Sequence, residues 1–326
     1  MNCYVRRRLV WLTAVCTVVA AFGLSPAYSG EDLWIVSTRR VASDGCDAVP
    51  SDSPLDYWHL NDGCQWAAAD AAAFRASDDP TAPTTFVISG NRTDPDMAVT
   101  MGWQIFQQLK ACAVGRSFRV VIWSWPSDRI RGGIRLDARV KADRCDVESF
   151  LLAQTLDRMN PAVRVNLVGH SFGARITLDA LELLAGGSIN GQTLPRKNQP
   201  AWATRQAMLV AAALDSDWLL KAHRDGQSLG HVDRLLITVN PDDFVLRHYG
   251  LMYHMHGPQA LGSTGPVDLD CLAETAKVEL LDLTCSVGRR HDWNYCFCAP
   301  DLRAAIARYG FFDSTGNASG AQPVQP

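Results

Sequence analysis

A strand, a Gly-x-Ser-x-Gly pattern and a helix follow one another midway along the chain. The apolar, β-branched run 163–168 is typical of a buried strand, and apolar residues recur at helical spacing over 174–184. This order predicts a tight strand-to-helix turn that lifts the hydroxyl of Ser171 clear of the backbone. Gly169 and Gly173 leave room for the turn, because a Cβ at either place would crowd a neighbouring element. The helix N-terminus behind the serine favours negative charge nearby, so the pattern predicts an activated nucleophile.

The first residues of the chain have the pattern of an export signal. Three arginines at 6–8 precede an apolar run over 9–24, and Ala27-Tyr28-Ser29 is a small-x-small cleavage pattern. The apolar run is short for a membrane span. We therefore expect residues 1–29 to be a signal peptide and the mature chain to begin at Gly30. The expected protein is secreted or periplasmic, without a stable membrane span after cleavage.

Charge and length narrow the class of protein further. The whole chain has 31 basic and 34 acidic residues, and the signal removes three arginines, so the mature net charge is −6. The basic residues are scattered, and nothing in this balance indicates a nucleic-acid partner. The remaining 297 residues fit one large α/β domain, which we place at 30–312. The polar end, 313–326, is expected to be a disordered tail.

Eight cysteines remain after the signal, and an even number in an exported chain predicts disulfides. They are Cys46, Cys64, Cys112, Cys145, Cys271, Cys285, Cys296 and Cys298. Spacing suggests the pairs Cys46–Cys64 and Cys112–Cys145, with the last four pairing among themselves. The alternative is a metal-dependent redox site built from Cys296, Cys298, His254 and His256. A Cys-x-Cys pair is weak support for it, and we expect no metal.

Strands and helices alternate along the chain. The predicted strands are 33–38, 85–89, 119–123, 163–168, 207–214, 235–239 and 278–283, and the predicted helices are 65–76, 97–113, 139–159, 174–184 and 302–309. Such alternation predicts an α/β fold with a mostly parallel sheet and helices on both faces. In these sheets ligands bind beyond the carboxyl ends of the strands.

A serine nucleophile needs a histidine base and an acid that orients the histidine. In the α/β-hydrolase arrangement the chain order is serine, acid, histidine. Asp243 follows the strand 235–239 and is the expected acid. Asp242 is its neighbour and first alternative, and Asp215 after the strand 207–214 is the second. One of these aspartates could merely cap its loop.

The last histidine, His291, lies between the last predicted strand and the last helix, and it is the expected base. His248, His254 and His256 come too soon after the acid, and the last two are expected to line the pocket. His170 stands inside the Gly-x-Ser-x-Gly turn. A residue there usually points away from the reacting groups and packs, so we interpret it as structural.

An oxyanion hole in this arrangement uses two backbone N–H groups. One is donated by the residue after the nucleophile, here Phe172. The other comes from the loop after an earlier strand, here the N–H of Gly90 or Asn91 after the strand 85–89. The alternative is a plain turn at Gly90 and Asn91.

Seven ordered segments resemble a family of bacterial α/β-hydrolases related to serine esterases and lipases, over about residues 33–309. They are Leu33–Arg39, Phe86–Asn91, Trp123–Ser127, Gly169–Gly173, Ala211–Asp215, Asp243–Leu246, and His291 with Tyr295. The resemblance implies the α/β-hydrolase fold and ester-hydrolase chemistry without naming a substrate. Two positions depart from the family pattern: Ser89 replaces a usual histidine, and Leu214 replaces a frequent proline.

The sequence thus favours an exported serine hydrolase that cleaves a small-molecule ester or acyl substrate and needs no cofactor. Its predicted catalytic residues are Ser171, Asp243 and His291. Because Ser89 lies beside the expected oxyanion hole, the alternative is a catalytically silent binding protein on the same fold.

Overall fold

The fold is built around one sheet. The structure is a computed structural model that describes residues 30–41, 55–195, 203–252 and 257–312. The predicted signal peptide and the predicted tail lie outside these residues. Within them, the strands are β1 (Glu31–Ser37), β2 (Asp56–Leu60), β3 (Trp66–Ala69), β4 (Thr84–Ile88), β5 (Phe118–Ser124), β6 (Val165–His170), β7 (Arg205–Val210), β8 (Arg234–Val239) and β9 (Val278–Asp282).

The strand order across the sheet is β3-β2-β1-β5-β4-β6-β7-β8-β9. β2 runs antiparallel to β1 and to β3, whereas every other neighbouring pair is parallel. The central strands β4, β5, β6 and β7 are buried along their whole length. Burial on both faces is what makes such strands continuously apolar in sequence. The predicted α/β architecture with a mostly parallel sheet is confirmed.

Helices connect the strands. In the described residues the α-helices are α1 (Ala71–Ala76), α2 (Pro95–Ala113), α3 (Ile134–Asp157), α4 (Phe172–Ala185), α5 (Phe244–Arg247), α6 (Leu261–Thr264), α7 (Thr284–Val287), α8 (Trp293–Cys298) and α9 (Pro300–Tyr309). Short 3₁₀ turns lie at Ser228–His231, Tyr249–Met252, Leu269–Cys271 and Thr275–Lys277. No helix of the described ranges is both long and apolar enough to cross a membrane.

The long helices form a layer on each side of the sheet. α2 packs on β5 and against α9, while α4 packs on β6 and against α3. The connections β4-α2-β5, β5-α3-β6 and β6-α4-β7 each leave the sheet at a strand's carboxyl end. The starts of α2, α3 and α4 therefore gather at one edge of the sheet, which we call the catalytic edge.

The predicted helix over 65–76 is partly wrong. Trp66–Ala69 forms β3 and pairs with β2, a strand that is absent from the predicted set. Only Ala71–Ala76 is helical, and its N-cap Asp70 accepts a hydrogen bond from the Ala73 N–H at 2.8 Å. Pairing with β2 outweighs the high intrinsic helix propensity of the alanines.

The predicted strand over 207–214 ends early, at Val210. Ala211 has a φ of 47° and its N–H donates to the Thr238 Oγ1 at 2.9 Å. A left-handed residue cannot continue a strand. The chain turns there across the catalytic edge and passes directly beneath Ser171.

The predicted Cys112–Cys145 disulfide is wrong. Cys112 lies on α2 and Cys145 on α3, the helices that cover opposite faces of the sheet. Cys145 is fully buried beside the Phe172 carbonyl, and burial raises the pKa of its thiol. The four last cysteines of the described chain also form no disulfide, contrary to expectation. Cys46 lies outside the described residues, so the Cys46–Cys64 pair stays a prediction.

Candidate active site

The turn around Ser171 joins β6 to α4. Ser171 is the N-cap of α4 with φ 54° and ψ −118°, a conformation that costs a non-glycine residue about 1–3 kcal/mol. Two backbone hydrogen bonds hold it: the Ser171 N–H donates to the Val210 carbonyl at 2.9 Å, and the Ala213 N–H donates to the Ser171 carbonyl at 3.3 Å. The neighbouring strand end therefore fixes the strained serine.

Both glycines of the turn are required by close backbone contacts. A Cβ on Gly173 would lie 2.1 Å from the carbonyl oxygen of Ile88, and one on Gly169 would lie 2.5 Å from the carbonyl oxygen of Gly173. Both contacts are with backbone, which cannot move aside without shifting a strand or helix. The turn thus brings α4 against the end of β4.

Three predicted residues meet at the catalytic edge. The Nε2 of His291 lies 2.9 Å from the Oγ of Ser171, and its Nδ1 lies 2.8 Å from the Oδ2 of Asp243. Because the carboxylate can only accept, Nδ1 carries the proton and Nε2 presents its lone pair to the serine hydroxyl. The arrangement can accept a proton from Ser171.

The carboxylate of Asp243 is itself anchored. Its Oδ1 accepts hydrogen bonds from the N–H groups of Val245 and Leu246, at 2.9 and 3.0 Å, at the start of α5. Only 1% of the residue is exposed. Two hydrogen bonds from its own helix thus fix Oδ1, and Oδ2 faces His291.

The alternative acids and bases lie elsewhere. Asp242 is exposed, and Asp215 accepts a hydrogen bond from the Tyr249 hydroxyl at 2.6 Å. Burial raises the pKa of the Asp215 carboxyl. His248 is exposed and its Nδ1 lies 2.6 Å from the Phe244 carbonyl. His254 and His256 lie outside the described residues.

His170 lies beneath the base. Its Nε2 lies 3.0 Å from the backbone carbonyl of His291, so this nitrogen donates. Burial, with a smaller contribution from His291, lowers the pKa of His170 from 6.5 to about 3. The imidazole is therefore neutral at physiological pH and supports the loop that carries His291.

This depressed pKa makes stability depend on pH. The unfolded chain protonates His170 below its ordinary pKa of 6.5 whereas the folded chain does not, so the folded state loses stability as pH falls toward 3. Between about pH 7.5 and pH 5, His170 should account for at most about 2 kcal/mol of lost unfolding free energy. The variant His170→Gln keeps an amide donor but cannot be protonated. Urea unfolding should therefore show that its unfolding free energy falls less between these two pH values than that of the wild type, by about the same 2 kcal/mol. An equal fall of unfolding free energy in both proteins would contradict the lowered pKa of His170.

Phe172 and Gly90 flank the serine. Phe172 is the first residue of α4, where the N–H groups have no acceptor within the helix. A Cβ on Gly90 would lie 2.8 Å from the Cβ of Ser171, so the loop after β4 runs directly against the nucleophile. Asn91 follows, and its side-chain oxygen accepts from the Arg92 N–H at 2.8 Å.

Four side chains hold the loop 89–93 from behind. The indole N–H of Trp125 donates to the Ser89 carbonyl at 2.7 Å. The Thr93 carbonyl accepts from the Ser127 hydroxyl at 2.7 Å and from the guanidinium of Arg39 at 3.0 Å. We call this set, together with Asp137, the loop clamp.

Asp137 is the fourth member of the loop clamp. It is completely buried near the start of α3 and accepts from the Nε of Arg92 at 2.7 Å and from the Asn91 amide at 3.3 Å. The hydrogen bond from Arg92 helps to lower the pKa of Asp137 against the opposing effect of burial. Sequence reasoning missed this residue. The one sequence feature that could have indicated it is that Asp137 is the single acid among the arginines at the start of α3.

The hydroxyl of Ser89 is buried and has no hydrogen-bond partner among the described residues. This is the position where the resembled family usually has histidine. No group of three or more His, Cys, Asp or Glu side chains within the described residues is arranged to hold a metal ion.

Comparison with other proteins gives only distant likenesses. No protein-family model and no curated protein matches the chain. Among solved structures, an inhibited esterase B from Lactobacillus rhamnosis is 14% identical and matches 94% of each chain with a TM-score of 0.38. The catalytic core of acetyl xylan esterase from Trichoderma reesei is 15% identical, with 72% of this chain and 98% of that chain covered and a TM-score of 0.35. A cutinase-like protein from Cryptococcus sp. is 14% identical, covers 72% and 94%, and has a TM-score of 0.30.

The fold class follows from the chain's own topology. It has a mostly parallel sheet whose central strand β6 leads through a Gly-x-Ser-x-Gly turn into a helix. The chain has the α/β-hydrolase fold, as expected.

Proposed function

We propose that this chain is an exported serine hydrolase that cleaves carboxylic esters through an acyl-enzyme. The observation that carries the proposal is the position of His291, with one ring nitrogen 2.9 Å from Ser171 Oγ and the other 2.8 Å from Asp243 Oδ2. These are the distances at which a base can take a hydroxyl proton while an acid fixes its tautomer.

In the first step Ser171 attacks the ester carbonyl carbon. Its proton passes to Nε2 of His291, and Asp243 stabilises the imidazolium that forms. The tetrahedral intermediate then collapses, the carbon–oxygen bond to the alcohol breaks, and His291 returns the proton to the leaving alcohol. The acyl group remains on Ser171.

In the second step water repeats the chemistry. His291 takes a proton from water, the hydroxide attacks the acyl carbonyl, and the proton returns to Ser171 as the carboxylic acid leaves. Each step forms one carbon–oxygen bond and breaks one, so the sum is hydrolysis of one ester. No cofactor enters this sequence.

The oxyanion would be stabilised by the N–H groups of Phe172 and of Gly90 or Asn91. Each such donor is worth roughly a factor of 10² to 10³ in rate when it is fixed before the reaction. The loop clamp supports this role, because Trp125, Ser127 and Arg39 occupy the carbonyls of the loop and limit how it can rotate. A loop that is held from behind needs little reorganisation as charge develops.

Active-site labelling tests the proposal. The protein, expressed with its own first 29 residues and recovered from the exported fraction, is treated with a fluorescent fluorophosphonate. We expect stoichiometric labelling, a mass that corresponds to a chain beginning at Gly30, and no labelling of Ser171→Ala. Ser188 is exposed and distant from the turn in sequence, so Ser188→Ala is the matched control and should be labelled like the wild type.

The same experiment separates the proposal from a binding protein on this fold. A folded wild-type protein that takes no label while it still binds esters would overturn the hydrolase proposal. The buried Ser89 hydroxyl, which lacks a partner in the described chain, would then be the first position to replace.

A further inference from the structure

The start of α3 exposes a mixture of arginines and large apolar side chains. Ile134 is 66% exposed, Leu136 52% and Val140 43%. Burying such side chains is favourable by the hydrophobic effect, and three of them within seven residues on a helix start are unusual for a solvated surface. We call residues 129–140 the docking segment.

The charge of the docking segment is opposite to that of the chain. Its four arginines, Arg129, Arg131, Arg135 and Arg139, are all exposed, and its one further acid or base is Asp137. Asp137 is buried and paired with Arg92, so it does not neutralise the surface. A chain of net charge −3 thus concentrates four positive charges on twelve residues.

The docking segment lies at the catalytic edge. α3 begins there because it follows the carboxyl end of β5. Asp137 also ties the segment to the loop beside Ser171, through Asn91 and Arg92, and accepts the Ile130 N–H at 3.1 Å. The next side chain on the buried face, Lys141, donates from its Nζ to the Pro126 carbonyl at 2.6 Å. The arginines and apolar side chains are therefore held outward beside the nucleophile.

Two further apolar side chains extend this surface. Phe244 is 53% and Val245 47% exposed on α5, directly after Asp243. α5 follows the carboxyl end of β8, so both side chains lie at the same edge as the docking segment. Arg289 lies over the Phe244 ring, at 5.7 Å from its centroid. Cationic and apolar side chains thus lie on both sides of the serine.

The partner must supply negative charge and an apolar interior at one surface. Guanidinium groups pair with phosphate oxygens in a bidentate manner. Nucleic acids and acidic polysaccharides offer the charge but no apolar phase for Ile134 and Leu136. An anionic phospholipid surface offers both, and a helical segment that exposes arginines and large apolar side chains can lie on it. We propose that the docking segment binds anionic phospholipid surfaces and turns the Ser171 edge toward the lipid.

Vesicle sedimentation tests this inference with the full mature chain. The probes are vesicles of phosphatidylcholine and vesicles of equal parts phosphatidylcholine and phosphatidylglycerol. We expect binding to the anionic vesicles roughly ten-fold tighter than to the neutral ones, and weaker binding as salt is raised. Arg131→Gln with Arg135→Gln should remove this preference, and Ile134→Ser with Leu136→Ser should weaken binding to the anionic vesicles several-fold.

Val114→Ser is the matched control. Val114 is 86% exposed at the far end of α2, at the opposite edge of the sheet, and its replacement should leave binding unchanged. Ser171→Ala should bind like the wild type, so a failure of the hydrolase proposal and a failure of this inference are distinguishable. The side chains replaced in the docking segment and Val114 are exposed, and circular dichroism checks that all variants fold.

Two results would overturn the inference. One is equal binding of the wild type to neutral and anionic vesicles. The other is tighter binding to heparin or duplex DNA that the Ile134 and Leu136 replacements do not alter, which would indicate a polyanion rather than a lipid surface.

Discussion

Replacing His291 by alanine should lower kcat/KM for p-nitrophenyl butyrate by a factor of about 10⁵. The imidazole is the base within reach of the Ser171 hydroxyl, at 2.9 Å, and without it the hydroxyl remains protonated at neutral pH. The loss should lie mainly in kcat, because the proton transfer occurs in the transition state and not in substrate binding. Initial rates over a range of ester concentrations measure both constants.

Asp243→Asn should have a smaller effect, a factor of about 10⁴ in kcat, because the amide can hold the ring in the wrong tautomer. Asp242→Asn is its matched control: the neighbouring carboxyl is exposed, and its replacement should leave the rate unchanged. If Asp242→Asn reduced the rate as strongly as Asp243→Asn, the assignment of the acid would fail. If His291→Ala left the rate unchanged, His291 could not be the base.

Gly173→Ala should unfold the chain or cost at least about 3 kcal/mol of unfolding free energy. The added Cβ would lie 2.1 Å from the Ile88 carbonyl oxygen and 2.8 Å from that of Ser89, so α4 and β4 would have to separate. The carbonyl of Ser89 also accepts the Trp125 indole, so the displacement would reach the loop clamp. Urea unfolding monitored by tryptophan fluorescence measures the loss.

Gly63→Ala provides the comparison for a glycine without such crowding. Its Cβ would meet one atom at 3.4 Å, the side-chain oxygen of Asn61, which is an ordinary contact. We expect a change below about 1 kcal/mol there. A Gly173→Ala protein with wild-type stability would mean that the end of β4 lies farther from α4 than described.

Much of the fold could be read from local patterns. The central strands were predicted within two residues at most ends, because strands buried on both faces are continuously apolar and stand out in sequence. The edge hairpin β2–β3 was missed, since its strands are half exposed and its alanines favour a helix in isolation. Pairing between strands decides such segments, and pairing is not a local property.

The candidate site divides in the same way. Ser171, Asp243 and His291 could be named because each follows a recognisable strand or motif, and chain order limits the choice. Whether Asp243 or Asp242 faces the histidine depends on which of the two caps α5. The pattern of apolar residues cannot decide between adjacent positions. Asp137 could not be found, because its role depends on contacts with Asn91 and Arg92, about 45 positions away.

The loop clamp links the chemistry to the integrity of distant parts of the sheet. Arg39 follows β1, Trp125 and Ser127 follow β5, and Asp137 lies in α3, yet all four hold the loop 89–93. Parts of a protein open locally at lower free energies than the whole. An opening that separates β1 from β5 would remove Arg39 from the loop clamp while β6 and its serine remain folded. We therefore expect heat or denaturant to loosen the loop beside Ser171, and so to slow the proposed hydrolysis, before the whole chain unfolds.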